Sequence, residues 1–531
     1  MNGDRRLWRT AAVWAVLFWL PWQTRWMFAT PALHGGAWEY GVGSVYAVEL
    51  LVVLAYFLNA RSTRRIDGTA PTPPPAAVGP AGSPPSGRGG RVKPYVRPLA
   101  VFFALAVASA ALGPAPGVSF GAMIHLVVVL MFGALLAAAQ ARRAADPPAC
   151  RQTASRQPPS FGFAQDRLGR GGRENADAEI RRAFYPHACA AEVAGAGGVP
   201  EASMSATADR AEGMPRTPDM PRGACDILCP WACAAAFVAG LIPAAALGWW
   251  QTLTGSSPAT KWLGLAAHLA STPGTAVVAT ASGRLLRAYG PFSHPNVFGG
   301  YLAVGLIICL LLDASLRRRA RWLNAAAALF LGGTLVVTFS RAAFIALSLG
   351  ILTALVLRRL PMRGNRALAA LVIGFALAAV WFRVPLSVRA DASGRLERQS
   401  LSLRVSQLGE WGNVFRASPL LGVGTSAYTA ALGRAFPSRA AYDLQPVHDV
   451  FLLILAEQGM LGFLALAWLA WTAVRCRARE FLLPAAVLLP LVLFDHYPWS
   501  SWSGLALVVV ACVLLPALAN GARACYHKAS A

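Results

Sequence analysis

The residues of this chain that could do chemistry are mainly histidines and arginines. His448 stands in Pro446-Val447-His448-Asp449-Val450, where a long polar stretch gives way to an apolar run. Imidazole titrates near neutral pH, so at a water–membrane boundary it can take a proton from a hydroxyl. Asp449 either orients that ring or caps the helix that follows. The plainer reading, that both residues only begin a helix, stays open beside it. His294 stands in Ser293-His294-Pro295-Asn296, again ahead of an apolar run. Pro295 and Asn296 read as a helix start, with His294 as part of its structure. Arg284 and Arg287 precede that segment, and Arg341 follows Ser340 at a tight turn between two apolar runs. Arg389, Arg395, Arg398, Arg404, Arg416, Arg434 and Arg439 fall in one long connection. Guanidinium is planar, permanently charged and grips phosphate oxygens in pairs, so these side chains suit an anionic ligand. Snorkelling to lipid phosphates is the alternative for any one of them. Carboxylates are scarce in the same segments, whereas a Mg²⁺ or Mn²⁺ ion on a phosphate usually needs one or two. No phosphate-binding loop, dinucleotide fingerprint or serine-hydrolase elbow occurs. Asp495-His496 marks a further helix break, with His496 a lesser candidate. Cys225, Cys229 and Cys233 share a helical face and read as small residues entering a membrane helix rather than as metal ligands.

The elements that must position these residues are membrane helices. Of 531 residues, 56% are hydrophobic and only 14% charged, against about 25% charged in a soluble domain. The mean hydropathy is +0.47. Twelve apolar stretches are long enough to cross or nearly cross a bilayer: 7–22, 40–60, 98–119, 121–140, 227–250, 297–316, 322–338, 342–357, 367–385, 450–474, 481–493 and 502–518. The first could pass for a signal peptide. No small-residue cleavage site follows it, so it reads as the first span. Every second connection is basic, which predicts about twelve spans with both ends cytoplasmic. The expected fold is therefore an all-α polytopic bundle. The net charge of +24, from 48 Lys and Arg against 24 Asp and Glu, follows from this positive-inside pattern and calls for no nucleic acid.

The chain divides on this reading into N-terminal helices (1–141, with a Pro/Gly/Arg-rich linker at 61–97), a cytoplasmic insertion (142–226), central helices (227–385), a large outer loop (386–449) and C-terminal helices (450–531). Neither the linker nor the insertion has the apolar content to fold by itself. In the large loop, Leu401, Val405, Leu408, Trp411 and Phe415 recur at helical spacing, with Arg398, Arg404, Gln407 and Glu410 elsewhere on the wheel. This predicts an amphipathic helix at the membrane surface. Glu49, His125 and Asp313 read as isolated ionisable residues within spans.

Four blocks, in this order and topology, resemble the O-antigen ligase and polymerase superfamily. They are Arg287-Ala-Tyr-Gly-Pro-Phe-Ser-His-Pro-Asn-Val-Phe-Gly-Gly-Tyr-Leu, Phe339-Ser340-Arg341, Ser418-Pro-Leu-Leu-Gly-Val-Gly-Thr, and His448-Asp-Val-Phe-Leu with Glu457-Gln-Gly-Met-Leu-Gly. The resemblance covers about 283–504. It implies an inner-membrane glycosyltransferase of the GT-C type that takes a glycan from undecaprenyl pyrophosphate on the periplasmic side. The acceptor in ligases is a sugar hydroxyl of lipid A–core, the reaction inverts the anomeric centre, and no metal or other cofactor takes part. Under it, Arg287 and Arg341 match the arginines that hold the pyrophosphate, and His448 the histidine that activates the acceptor. Arg284, His294, Asn296, Arg404 and Asp449 become substrate-binding candidates. Asp449 departs from the family, where Asn is more usual, and an added carboxylate would raise the basicity of His448. A polymerase or a protein O-glycosyltransferase of the same superfamily fits the blocks too. A small-anion transporter would want paired ionisable residues within the spans, and the sequence offers no evident pair.

Overall fold

The computed structural model describes residues 2–63, 95–145, 230–281, 283–360, 364–391 and 395–529. The chain divides into one unit of Met1–Ala144 with Asp226–Ala531 and a second of Ala145–Cys225. From 146 onward the insertion read at 142–226 lies outside the described residues, as do 64–94 of the linker read at 61–97. So do Cys225 and Cys229; Cys233 is buried.

Helix dominates the described residues. In chain order the helices are α1 (Asn2–Trp19), α2 (Ala47–Thr63), α3 (Val96–Leu112), α4 (Pro116–Ala145), α5 (Pro230–Thr254), α6 (Pro295–Asp313), α7 (Arg318–Thr338), α8 (Arg341–Val356), α9 (Arg366–Trp381), α10 (Arg383–Ala390), α11 (Arg395–Ala417), α12 (Tyr428–Ala435), α13 (Val450–Phe494), α14 (Tyr497–Ser500) and α15 (Trp502–Ala529). Six helices among the described residues are long and apolar enough to cross a membrane, or seven if the α9–α10 pair, bent by 85°, counts as one span. The twelve stretches read from sequence differ from this for local reasons. Ala47–Asn59, Val96–Leu112 and Arg341–Val356 are apolar but short. Residues 40–46, read as part of a span, form a 3₁₀ turn and a strand instead. The stretches 450–474 and 481–493 join in α13, which is broken at Gly459 and Arg477.

Short antiparallel pairs complete the connections: β1 (Arg25–Ala29) with β4 (Gly43–Tyr46), β2 (Ala32–Leu33) with β3 (Gly36–Ala37), β5 (Ser256–Ser257) with β6 (His268–Leu269), and β7 (Val277–Thr280) with β8 (Gly283–Leu286). Connections cannot leave buried backbone groups unpaired, and two-stranded pairing meets that need over a few residues.

α6 is the axis of the bundle. Its span is 94% buried, and it packs on α5, α7, α8 and α15. A helix apolar on every face belongs inside a bundle. Two adjacent glycines near its start set its neighbours. A Cβ on Gly299 would lie 2.9 Å from both Ser340 Cβ and Ala343 Cβ, and one on Gly300 would lie 2.1 Å from the Tyr497 hydroxyl. The absence of side chains there lets the first turns of α6 and α8 and the turn at Tyr497 meet closely. Small residues serve this purpose in membrane helix pairs.

Candidate functional site

The Arg287–Leu302 block is fixed by its surroundings. Gln251, buried at the end of α5, receives the Tyr289 N–H at 3.1 Å and donates to the Gly290 carbonyl at 2.9 Å. Ala288 N–H bonds the Val337 carbonyl at 2.9 Å. Gly290 takes φ +56° with its Cα face against the Phe298 ring, which a side chain would not allow cheaply. His294 is then the N-cap of α6: its Nδ1 accepts the Asn296 N–H at 3.1 Å. An accepting Nδ1 carries no proton, so neutral His294 holds its proton on Nε2. Burial and the Arg287 charge push its pKa down to about 3. The cap confirms the helix start that Pro295-Asn296 suggested.

Arg287 is 4% exposed. Its Nε donates to the Thr338 carbonyl at 2.8 Å, and its Nη2 to Asn296 Oδ1 at 2.7 Å. Asn296 Nδ2 donates in turn to Asp495 Oδ2 at 2.7 Å. Asp495 Oδ1 accepts the His496 N–H at 2.9 Å, and the His496 ring meets the His448 ring edge-on, centroids 5.2 Å apart. Arg287, Asn296 and Asp495 thus form one chain of hydrogen bonds, and a ring contact from His496 carries it on to His448; the residues come from the segment after β8, α6, the α13–α14 break and the end of the large loop. Arg341, half-buried, begins α8, and Ser340 before it packs against Gly299 of α6. Ser340 is buried with no partner for its hydroxyl.

His448 Nδ1 lies 2.8 Å from Gln407 Oε1. The amide oxygen only accepts, so Nδ1 carries the proton and Nε2 keeps its lone pair. Burial lowers the His448 pKa; Asp495 opposes this and Arg404 adds to it. The ring is neutral at neutral pH, the form a base requires. Burial would raise the Asp495 pKa, yet its interaction with the His496, His448 and His294 imidazoles and the Asn296 bond outweigh this and lower the pKa below the ordinary carboxylate value. His496 is pushed down to about 4, chiefly by burial.

α11 carries Gln407 and Arg404 to this centre. Its polar face looks inward, with Gln407 and Glu410 buried, while Leu401, Val405 and Leu408 are exposed. Trp411 and Phe415 turn from that stripe toward α13: the Trp411 indole donates to the Leu452 carbonyl at 2.7 Å and stacks on Phe415. The Gly-rich turn after α11 docks into the break in α13. Val423 and Gly424 N–H groups bond the Ala456 and Glu457 carbonyls, and Met460 and Leu461 N–H groups bond the Pro419 and Leu420 carbonyls, all at 2.9–3.1 Å. Gly459, at φ +64° and ψ −177°, occupies a region open essentially to glycine alone.

The remaining candidates fall elsewhere. Arg284 is exposed on β8 and donates to the Thr272 carbonyl at 3.2 Å. Asp449 does not touch His448 in any bond described; it is the N-cap of α13, accepting the Leu452 N–H at 2.9 Å. The carboxylate acting on His448 is Asp495 instead. Several loop arginines are structural: Arg389 bonds the Phe339 carbonyl, Arg434 the Pro114 carbonyl, and Arg439 pairs with Glu410 at 2.7 Å. Glu49 and His125, read as isolated, are hydrogen-bonded to each other between α2 and α4. Asp495, Gln407 and the larger part of His496 escaped the sequence reading. Asp-His at a helix break was the visible signal; nothing in the sequence tied it to residues some 50 or 200 positions away.

His448, Asp495 and His496 offer three ligand atoms within 4.8 Å of one another, a donor set of the kind zinc takes. Both Asp495 oxygens already accept hydrogen bonds, and the Arg404 charge acts on the His448 imidazole. That environment favours proton handling and anion binding over a cation.

Residues His294, Ser340 and Asp449 of this region stand at the N-termini of α6, α8 and α13, the positive ends of those helices. With Arg287 and Arg341 these ends suit an anion of several oxygens. Residues 325–467 match the family model described as O-Antigen ligase. The match holds Arg341, Arg404 and His448, and it supports the O-antigen ligase superfamily for this chain, whose members are membrane glycosyltransferase-like enzymes. No curated protein matches the chain.

Proposed function

We propose that the protein is an O-antigen ligase-like enzyme. It transfers a glycan from undecaprenyl pyrophosphate to a sugar hydroxyl of lipid A–core, on the periplasmic face of the inner membrane. The observation that carries the reading is the run of contacts from a buried arginine through Asn296, Asp495 and His496 to a neutral histidine, inside a chain that carries the ligase family match.

The acceptor oxygen attacks the anomeric carbon of the donor sugar while the bond from that carbon to the diphosphate oxygen breaks. His448 Nε2 takes the acceptor's proton. Ionised Asp495 stabilises the imidazolium that forms. The departing lipid diphosphate gains negative charge, which Arg287, Arg341 and the helix N-termini neutralise, so the chain needs no metal for this step. Attack opposite the leaving group inverts the anomeric centre. Preorganised donors of this kind act strongly because they pay no reorganisation during the reaction.

Deletion followed by gel analysis of surface glycolipid tests the reading. A ligase loses decoration of lipid A–core while lipid-linked glycan accumulates. A single-repeat product assigns the chain to polymerisation, and an unchanged profile overturns glycan transfer altogether. Cysteine labelling of intact cells tests the sidedness: positions 341 and 448 must react from outside the inner membrane.

A further inference from the structure

One wall of the reaction centre comes from a segment outside the residues that match the family. Tyr40 lies in the connection between α1 and α2, and its ring meets the His496 ring edge-on, centroids 6.0 Å apart at 68°. His496 meets His448 in the same manner, at 5.2 Å and 80°. The rings of Tyr40, His496 and His448 therefore stand in series, with His496 between the other two. Edge-to-face contact at about 4.5–7 Å is a favoured arrangement for aromatic rings.

The connection holds Tyr40 by several contacts. Its ends are closed by the pairing of β1 with β4 and by the Ala47 N–H on the Thr24 carbonyl at 2.9 Å. The Trp38 indole, 7% exposed, donates to the Thr429 hydroxyl of α12 at 2.9 Å. Gly41 lies against the same indole, where a side chain would run into the ring. Trp38 thus pins the 3₁₀ turn Glu39–Gly41, with Tyr40 at its middle, to the large loop. His34 adds a second anchor. A carbonyl only accepts, so His34 Nδ1 donates to the Arg439 carbonyl, at 2.6 Å. Arg439 pairs in turn with Glu410, about one turn of α11 beyond Gln407. One connection therefore reaches the base His448 from two flanks, through Tyr40 on His496 and through Arg439 on the helix that carries Gln407.

Tyr40 brings no charge to this place. Burial, then the charges of Glu39 and Asp495, raise its phenol pKa, so it is a neutral ring at neutral pH. The hydrogen bonds of His496 go elsewhere: its backbone N–H donates to Asp495, and its Nδ1 meets the Ser500 hydroxyl at 2.7 Å. We propose that Tyr40 is a positioning residue of the reaction centre, its ring holding His496 against His448 and so fixing the wall beside the base. A packed ring does this by shape and adds no charge beside a base that must stay neutral. The sequence sets position 40 at the head of an apolar run, where it reads as the start of a span; only the fold turns it toward the histidines.

The part that Tyr40 plays in transfer rests on the transferase reading; its hold on His496 does not. Two measurements on the full chain in nanodiscs separate them. One is transfer kinetics with lipid-linked donor and acceptor glycolipid. The other is histidine-selective 13C NMR, with the His448 and His496 signals assigned by their loss in His448→Gln and His496→Gln. Tyr40→Ala is expected to lower kcat about ten- to a hundredfold through misplacement of the base. Both KM values are expected to stay within about twofold, because the substrates keep their own contacts. The same variant is expected to move both imidazole signals, including that of His448, which Tyr40 reaches through His496. Tyr40→Phe keeps the ring and is expected to restore kcat to within about twofold and to return both signals. Trp38→Phe loses the bond to Thr429. It is expected to lower kcat by itself and to cost nothing further in Tyr40→Ala, since it acts through Tyr40. An unmoved His448 signal in Tyr40→Ala overturns the inference. So do additive losses from Trp38→Phe and Tyr40→Ala, and so does a Tyr40→Phe chain as slow as Tyr40→Ala, which would make the hydroxyl a substrate contact. Signals that move as stated, in a chain that transfers nothing, keep the hold of Tyr40 on the histidines and overturn the transferase reading.

Discussion

At the scale of single residues, the proposed mechanism separates groups that handle the proton from groups that hold charge. His448 supplies a lone pair at Nε2 because Gln407 occupies Nδ1. Replacing it with Ala is expected to lower transfer by about 10²–10⁴, with normal insertion judged by detergent extraction and gel filtration. Arg341→Ala, removing a donor to the leaving group, is expected to cost about 10²–10³ in kcat. Asp495 makes a sharper test. Its charge raises the His448 pKa, so Asp495→Asn moves that pKa lower still. The acid limb of the kcat/KM profile is then expected to shift to lower pH even as the rate falls, because the imidazolium loses its counter-charge. A purely structural carboxylate would lower the rate without moving the limb. In the unaltered enzyme that limb lies below the ordinary histidine value of about 6.5, since burial depresses His448.

At the scale of elements, the decisive contact is between two glycine-bearing segments far apart in sequence. The turn at Gly422 and the helix break at Gly459 exchange four backbone bonds. A Cβ on Gly459 would stand 2.3 Å from the Leu420 carbonyl oxygen, and one on Gly422 at 2.3 Å from that of Glu457. Gly459→Ala therefore meets both an unfavourable φ and a backbone clash. The strain alone is worth roughly 1–3 kcal/mol, and the docking of α11 through the turn is expected to loosen with it. A lower unfolding temperature of the purified protein, with faster hydrogen exchange across 418–424, would register this. The same docking explains why two of the four family-like blocks are rich in glycine: they are two halves of one joint. α11 answers a related point. Its exposed stripe of Leu401, Val405 and Leu408 faces away from the bundle, and its polar side carries Gln407 to the base, so an apparent surface helix is part of the site's roof.

At the scale of the whole molecule, stability and the site depend on the same buried groups. His294 and His496, with pKa values pushed to about 3 and about 4, bind protons more weakly in the folded chain than when unfolded. The unfolded state therefore takes up more protons in acid, and stability rises with pH. The contribution is complete above about pH 6.5, the unfolded histidine value, and is lost as pH falls toward those folded values. Asp495, held low, acts with the same sign. Thermal unfolding in nanodiscs is thus expected to be level from pH 8 to 7 and to drop steeply from pH 6 to 4, with no comparable loss on the alkaline side of this range.

Much of this could be read from the chain itself. Apolar runs of membrane length pointed to a helix bundle, and arginine and histidine at their ends with the four family-like blocks marked the candidate residues, because hydrophobic length and residue chemistry are local properties. Partnership was not local. Asp449 adjoins His448 in sequence but faces its own helix as a cap, while Asp495, 46 positions later, supplies the carboxylate. Glu49 and His125 looked solitary until α2 and α4 packed together. Two glycines at the head of α6 and the joint between Gly422 and Gly459 decided which groups meet, since a side chain's partner depends on how closely backbones approach, and that distance is fixed only when the whole bundle closes.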